Sequence, residues 1–315
     1  MQTTNLGQTG VQVTALGIGA WAWGDSLFWN YGQNYGAAQV KEAFEAAVTA
    51  GITFFDTAEV YGNGESERLL GEFGQHSPTP VAIATKYAPF PWRTGPTSVS
   101  SAVAQSLSRL KLTQIPLYQV HWPFSFLMNQ NTLINALADE VDKGTIAAVG
   151  VSNYSAEQMK QAHQILAQRG IPLAVNQVKY SLLSRTVEIK GIVATAKELG
   201  ITLLAYSPLA QGLLTGKYRP SSPQKPDGAR RLDSRFTAKG LEKIAPVLNL
   251  LTQLASQYQK TSAQVALNWL IAQGNVIPIP GAKNAAQARE NAGALGWQLT
   301  PSEVAQLEEV SRPFC

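Results

Sequence analysis

The sequence predicts an α/β fold: a (β/α)8 TIM barrel with an N-terminal β-hairpin and a long loop after the seventh barrel strand. Three observations lead there. Eight short apolar runs alternate with amphipathic or Ala-rich stretches over 315 residues, a length that suits a single barrel domain spanning 1–315. Several runs stop at an ionisable or amide side chain, as the C-terminal strand ends of barrels do. No glycine fingerprint follows the first run. Gly17-Ile-Gly19-Ala-Trp21-Ala-Trp23-Gly24 has two indoles and too long a spacing for a dinucleotide turn, which disfavours a doubly wound sheet.

In chain order, the two segments around Gly7-Gln-Thr-Gly10 read as the hairpin. Barrel strands are expected at Ala15–Gly19, Thr53–Asp56, Val81–Lys86, Leu117–His121, Ala147–Ser152, Ala174–Val178, Thr202–Ser207 and Val276–Pro280. Helical stretches fall between them at Ala37–Ala50, Ser66–Phe73, Val99–Leu110, Thr132–Lys143, Ala156–Arg169 and Glu188–Leu199, and a further one at Ala285–Ala294. Ser155 with Gln158 reads as a capping box, and Gly51, Gly170 and Gly200 as the stops after three helices. From Tyr206 to about Leu241 a stretch with Pro220, Pro223, Pro226, Gly228 and four arginines reads as a mobile cover over the site.

Bulk properties exclude several classes. A net charge of +4 without a long Lys/Arg run disfavours nucleic acid as a partner. One cysteine, Cys315, rules out an internal disulfide and a Cys-rich metal site, and three histidines leave little for a multi-His one. No apolar run approaches the ~20 residues that span a bilayer, and Met1-Gln-Thr-Thr-Asn-Leu6 lacks the basic and apolar parts of a signal peptide. A cytoplasmic setting and a monomer or weak oligomer are therefore expected, with no membrane and no metal.

The chemistry sits at the expected strand ends. Asp56 closes Ile52-Thr-Phe-Phe55, with Tyr61 five positions on; Lys86 closes Val81–Thr85, and His121 closes Pro116–Val120. A phenol, an ammonium, a carboxylate and an imidazole form a proton-transfer set. Tyr61 is the expected proton donor, Lys86 would lower its pKa, Asp56 would hold the Lys86 amine, and His121 would orient a carbonyl oxygen. This suits hydride addition to C=O, where the oxygen gains charge and then a proton, and it implies a nicotinamide. Trp23, Trp92 and Trp122 are expected to wall a pocket for flat or apolar carbonyl compounds.

Over nearly its whole length the sequence resembles the aldo-keto reductases, particularly plant and cyanobacterial members. Asp56-Thr-Ala-Glu-Val-Tyr61-Gly62, Lys86 and His121 match that family's tetrad in order and spacing. Val149-Gly-Val-Ser152-Asn153, Asn176-Gln177 and Ala205-Tyr206-Ser207-Pro208-Leu209 match its later strands. The resemblance implies NADPH/NADP+ as cofactor and a small-molecule carbonyl substrate. Ser152, Asn153 and Gln177 would hold the nicotinamide carboxamide and Tyr206 would stack on its ring. Ser207, Leu209 and Gly212 would line the pyrophosphate. Trp23 would also face the cofactor. Gly281, Lys283, Gln287, Glu290 and Asn291 would meet the adenosine end, with Arg289 near it. Where many members read Lys-Ser after the eighth strand, this chain reads Gly281-Ala-Lys283-Asn284, so the cation is displaced by two positions. His at 121, where double-bond reductases carry Glu, favours carbonyl reduction. Two other readings stay open: a pyridoxal reductase proper, and a cofactor-binding regulatory module like the channel β-subunits.

Overall fold

The computed structural model describes residues 3–123, 127–219 and 233–315. Two short strands, β1 (Thr3–Asn5) and β2 (Gln12–Thr14), pair antiparallel as the hairpin. Eight parallel strands follow: β3 (Ile18–Gly19), β4 (Phe54–Asp56), β5 (Ala82–Tyr87), β6 (Leu117–Val120), β7 (Val149–Ser152), β8 (Leu173–Lys179), β9 (Thr202–Tyr206) and β10 (Val276–Pro278). Each lies within two or three residues of its expected place. Their order in the sheet is their order in the chain. The two ends meet: Gly17 N–H donates to Pro278 O at 3.0 Å and Gly19 N–H to Pro280 O at 2.9 Å. A parallel Gly19–Gly281 bridge continues this seam, so the sheet closes and leaves no free edge. The seam is tight enough that a Cβ on Gly19 would lie 2.9 Å from Ile279 O.

Side chains alternate between the two faces of each strand. Phe54, Ala84, Leu117, Ala148, Val175, Leu204 and Ile277 point into the barrel and cluster with Leu6 and Val13 of the hairpin, which closes the N-terminal end. Their neighbours Phe55, Ile83, Tyr118, Val149 and Leu203 belong to the outer core against the helices. Two residues further along, the same inward positions carry Asp56, Lys86, Gln119, Gly150, Gln177 and Tyr206. A period-two pattern thus sets one largely polar layer above an apolar floor.

The helix Ala156–Ala167 starts on the expected capping box, with Ser155 Oγ accepting from Gln158 N–H at 3.2 Å and Gln158 Oε1 accepting from Ser155 N–H at 3.0 Å. The single helix expected over Glu188–Leu199 is instead two, Thr186–Ile189 and Ile192–Glu198, because Gly191 at φ 70° breaks the run. The long loop also ends earlier than expected. Ser234–Phe236 is a short turn, and a helix starts at Ala238 and runs to Tyr258. The proline-rich centre at 220–232, and with it the expected mobile cover, lies outside the described residues.

Candidate active site

β4 and β5 bring Asp56 and Lys86 together beneath the C-terminal mouth. Lys86 is fully buried and Asp56 nearly so. Lys86 Nζ donates to Asp56 Oδ2 at 2.5 Å and to Thr57 O at 2.7 Å. Burial pulls the ammonium below its usual pKa, and the Asp56 carboxylate opposes that. A second buried carboxylate, Glu67, lies behind this pair and is itself held by Thr85 Oγ1 at 2.6 Å and Arg109 Nε at 2.5 Å. The Lys86 ammonium sits 5.0 Å from the centre of the Tyr61 ring. Tyr61 rides on a cramped turn: Gly62 has φ 55°, and a Cβ there would lie 2.4 Å from Gly24 O. His121 presents its ring to Tyr61 edge-on, centroids 5.7 Å apart, and its Nδ1 is buried without a partner. Burial first, and the Lys86 charge second, push the imidazole down to a pKa of about 3. The ring is therefore neutral at ordinary pH and keeps one N–H to give.

One expectation about Tyr61 is overturned. Its pKa is raised well above the usual value, not lowered, by burial first and then by the Asp56 and Asp25 carboxylates. The Lys86 charge is already neutralised by Asp56 at 2.5 Å, so little of it acts on the phenol. The phenol keeps its proton across the working pH range. An alkoxide is a much stronger base than a phenolate, so transfer from phenol to alkoxide still runs downhill.

A cleft of about 1070 Å³ opens over this layer. Its walls include Asp56, Tyr61, His121, Ser152, Asn153 and Gln177 near the barrel centre. Tyr206, Ser207, Leu209 and Gly212 follow along one side, with Gly281, Lys283, Gln287, Glu290 and Asn291 at the far end. Most of these polar groups are locked together. Ser152 Oγ donates to Gln177 O at 2.9 Å, Asn153 Nδ2 to His121 O at 3.2 Å, and Tyr206 OH to Asn153 Oδ1 at 3.0 Å. Ser207, Ala210, Gln211 and Gly212 all have positive φ, which turns the chain sharply along the wall. At the far end Asn291 Nδ2 donates to Gly281 O at 3.2 Å, and Asn284 caps the helix Ala285–Ala292. Lys283 Nζ donates to Trp29 O at 3.4 Å and lies 4.5 Å from the ring centres of both Trp29 and Tyr35. Arg289 is exposed and does not line the cleft.

The tryptophans require correction. Trp23 is wholly buried; its Nε1 donates to Ala282 O at 2.8 Å and its ring packs on Phe55 and Phe73. A turn, Trp23 N–H to Ala20 O, swings it away from the cleft and leaves Trp21 facing Tyr61 at 6.2 Å. Trp92 is 72% exposed and stacks on Phe90 outside the cleft. Trp122 touches the His121 ring at 4.8 Å but is likewise not a cleft wall. The aromatic wall is formed instead by Trp21, Phe28 and Trp29. Gln119 was also missed, although an amide inside the apolar run Leu117–Val120 at an inward position is a readable signal. Among the described residues no helix is long and apolar enough to cross a membrane.

Fold and site together place the chain among barrel enzymes that work at the C-terminal mouth. The sequence profile of the Aldo/keto reductase family matches residues 15–312, and the chain belongs to that family of oxidoreductases. It is similar to the chloroplastic pyridoxal reductase of Arabidopsis thaliana, 42% identical over 314 residues that cover 96% of this chain and 84% of the plant protein. An aldo-keto reductase of Bacillus subtilis is 31% identical, covering 98% of this chain and 93% of its own. Among solved structures, the glycerol dehydrogenase of Gluconobacter oxydans matches with a TM-score of 0.83 and 28% identity, over 98% of this chain and 95% of that one. An aldo-keto reductase of Klebsiella pneumoniae in complex with NADPH matches with a TM-score of 0.74 and 27% identity, over 99% and 96% of the two chains.

Proposed function

We propose that the protein reduces aldehydes or ketones to alcohols with NADPH, and that Tyr61 gives the proton. The carrying observation is the phenol of Tyr61 and the imidazole of His121 facing one cleft above the buried Lys86–Asp56 pair. The cleft fits a dinucleotide in size, since at about 1070 Å³ it stands at the top of the range of small-molecule sites. Its polar groups fit too. Ser152, Asn153 and Gln177 would hold the carboxamide, and the half-buried Tyr206 ring would face the nicotinamide. The sharp turn at Ser207–Gly212, with Leu209 on its wall, would take the pyrophosphate. The capped N-terminus of Ala285–Ala292, flanked by Lys283, suits an anion at the adenosine end, with Gln287, Glu290 and Asn291 beside it. The bound nicotinamide supplies hydride.

The chain's own residues do the rest. Neutral His121 directs an N–H at the carbonyl oxygen and fixes its orientation. Tyr61 holds a proton on Oη until charge develops on that oxygen, then transfers it. The Asp56–Lys86 pair, neutral as a whole, leaves the proton on the phenol until the developing alkoxide takes it. Trp21, which faces Tyr61, and Phe28 beside it give the substrate side an aromatic wall, which with the likeness to the plant enzyme makes pyridoxal the first aldehyde to test. The assay is loss of NADPH absorbance with a panel of aldehydes. Tyr61→Phe should lower kcat by ~10²–10⁴-fold and leave NADPH binding near wild type. Wild-type turnover in Tyr61→Phe would refute the assignment, and no turnover by the native protein with any aldehyde would favour a regulatory module.

A further inference from the structure

The Asp56 carboxylate has a partner that the tetrad does not include. Gln119, fully buried on β6, donates from Nε2 to Asp56 Oδ1 at 3.0 Å. Gln177 on β8 donates to the same oxygen at 2.7 Å and to Gln119 Oε1 at 3.2 Å. The amide orientations follow from chemistry: a carboxylate only accepts, so both glutamines must turn their NH2 groups to it. Both N–H groups of Gln177 are then committed, and Oε1 is what remains of its amide for a ligand in the cleft. Room for Gln119 comes from the next strand. Gly150 on β7 stands opposite it in register, and a Cβ there would lie 2.9 Å from Gln119 Cγ.

We propose that Gln119 is a positioning residue for the reduction. It holds the Asp56 carboxylate square to Lys86 and fixes the Gln177 amide, so that one buried network sets both the proton-donating group and the carboxamide seat. This rests on the function proposed above. The charged and titratable groups around it are Asp56 on β4, Lys86 on β5 with Glu67 behind it, and Tyr61 and His121 at the mouth.

Two variants test it. Gln119→Leu removes both hydrogen bonds. It should lower kcat about tenfold, the effect of one hydrogen bond to a charged group, with the aldehyde KM nearly unchanged. It should also raise the NADPH dissociation constant a few-fold, read by fluorescence titration, because Gln177 is no longer held. Gln119→Glu keeps the shape. Its carboxyl would meet Asp56 as the amide does, and the two must share one proton. With that proton in place kcat should approach wild type. As pH rises and the proton leaves, kcat should fall along a limb absent from the wild-type profile. The NADPH dissociation constant should stay near wild type throughout, because the ionised carboxylate still accepts from Gln177. A merely structural role would change melting temperature and yield without adding that limb. A wild-type pH profile in Gln119→Glu, or wild-type kcat and NADPH affinity in Gln119→Leu, overturns the proposal. The NADPH titration decides the carboxamide-seat half even if the native protein reduces no aldehyde, which would instead refute the proposed reaction.

Discussion

His121 carries a stability cost that acid should reveal. In the unfolded chain its ring titrates near 6.5, whereas burial and the Lys86 ammonium push the folded value down to about 3. A folded pKa below the unfolded one gives stability that is complete above 6.5 and is lost as pH falls toward 3. The full gap is worth about 5 kcal/mol at 1.36 kcal/mol per pH unit. By pH 4 the unfolded ring is almost wholly protonated while the folded one is still mostly neutral, so about 3 kcal/mol has gone. His121→Gln removes this group and keeps a polar side chain of similar reach. Urea denaturation of both proteins at pH 7 and pH 4 isolates the effect, because the other titrating groups are common to both. The variant should lose about 3 kcal/mol less than wild type between the two pH values. Equal losses would mean that the imidazole is solvated in the native state and titrates as it does in the unfolded chain, a smaller loss in wild type than in the variant would mean that it is already charged at pH 7, and the buried neutral donor assigned to it would fall with either.

Much of the fold was legible because its signals are local. The alternation in Phe54-Phe55-Asp56 or Leu117-Tyr118-Gln119 states which face is inward before any partner strand is known. Gly51, Gly170 and Gly200 adopt φ of 83°, 68° and 66°, as helix stops require. Gly191 carried the same kind of signal, and the split it makes was readable. So were three helices, Ala238–Tyr258, Ser262–Ile271 and Pro301–Val310, whose caps Thr237, Thr261 with Gln264, and Thr300 with Glu303 lay beyond a strand-by-strand reading.

The site divided along the same line. Asp56, Lys86, Gln177 and Tyr206 are set by strand position alone. Trp21 and Trp23 are two residues apart on a turn, not a strand, so which one faces the cleft depends on the Trp23–Ala20 hydrogen bond and on Ala282 accepting from the buried indole. The direction of the Tyr61 shift was out of reach for a different reason. It depends on how completely Asp56 cancels Lys86, and that is a matter of 2.5 Å against 5.0 Å, which residue order does not encode.

Two further substitutions probe the mouth. Gly62→Ala should cost about 1–3 kcal/mol in urea unfolding and lower kcat, since a left-handed backbone and a contact of 2.4 Å with Gly24 O must both give. Gly32→Ala is the control, with φ 86° but nothing within 4 Å, and a loss in Gly62→Ala no larger than in Gly32→Ala would mean that the turn bearing Tyr61 is loose. Lys283→Ala tests cofactor choice. A charge-assisted hydrogen bond to a 2′-phosphate contributes about 1.5–3 kcal/mol, but Lys283 is already engaged with Trp29 and Tyr35, and leaving those rings costs about 1 kcal/mol. The difference is about 0.5–2 kcal/mol, so the variant should bind NADPH roughly 2–30-fold more weakly. NADH, which lacks the phosphate, should change little. The gap between the cofactors should also narrow as salt rises, because the lysine is only partly buried. Equal losses for NADPH and NADH in fluorescence titrations would show that Lys283 acts by bracing Trp29 and Tyr35, and that the phosphate is held by another cation.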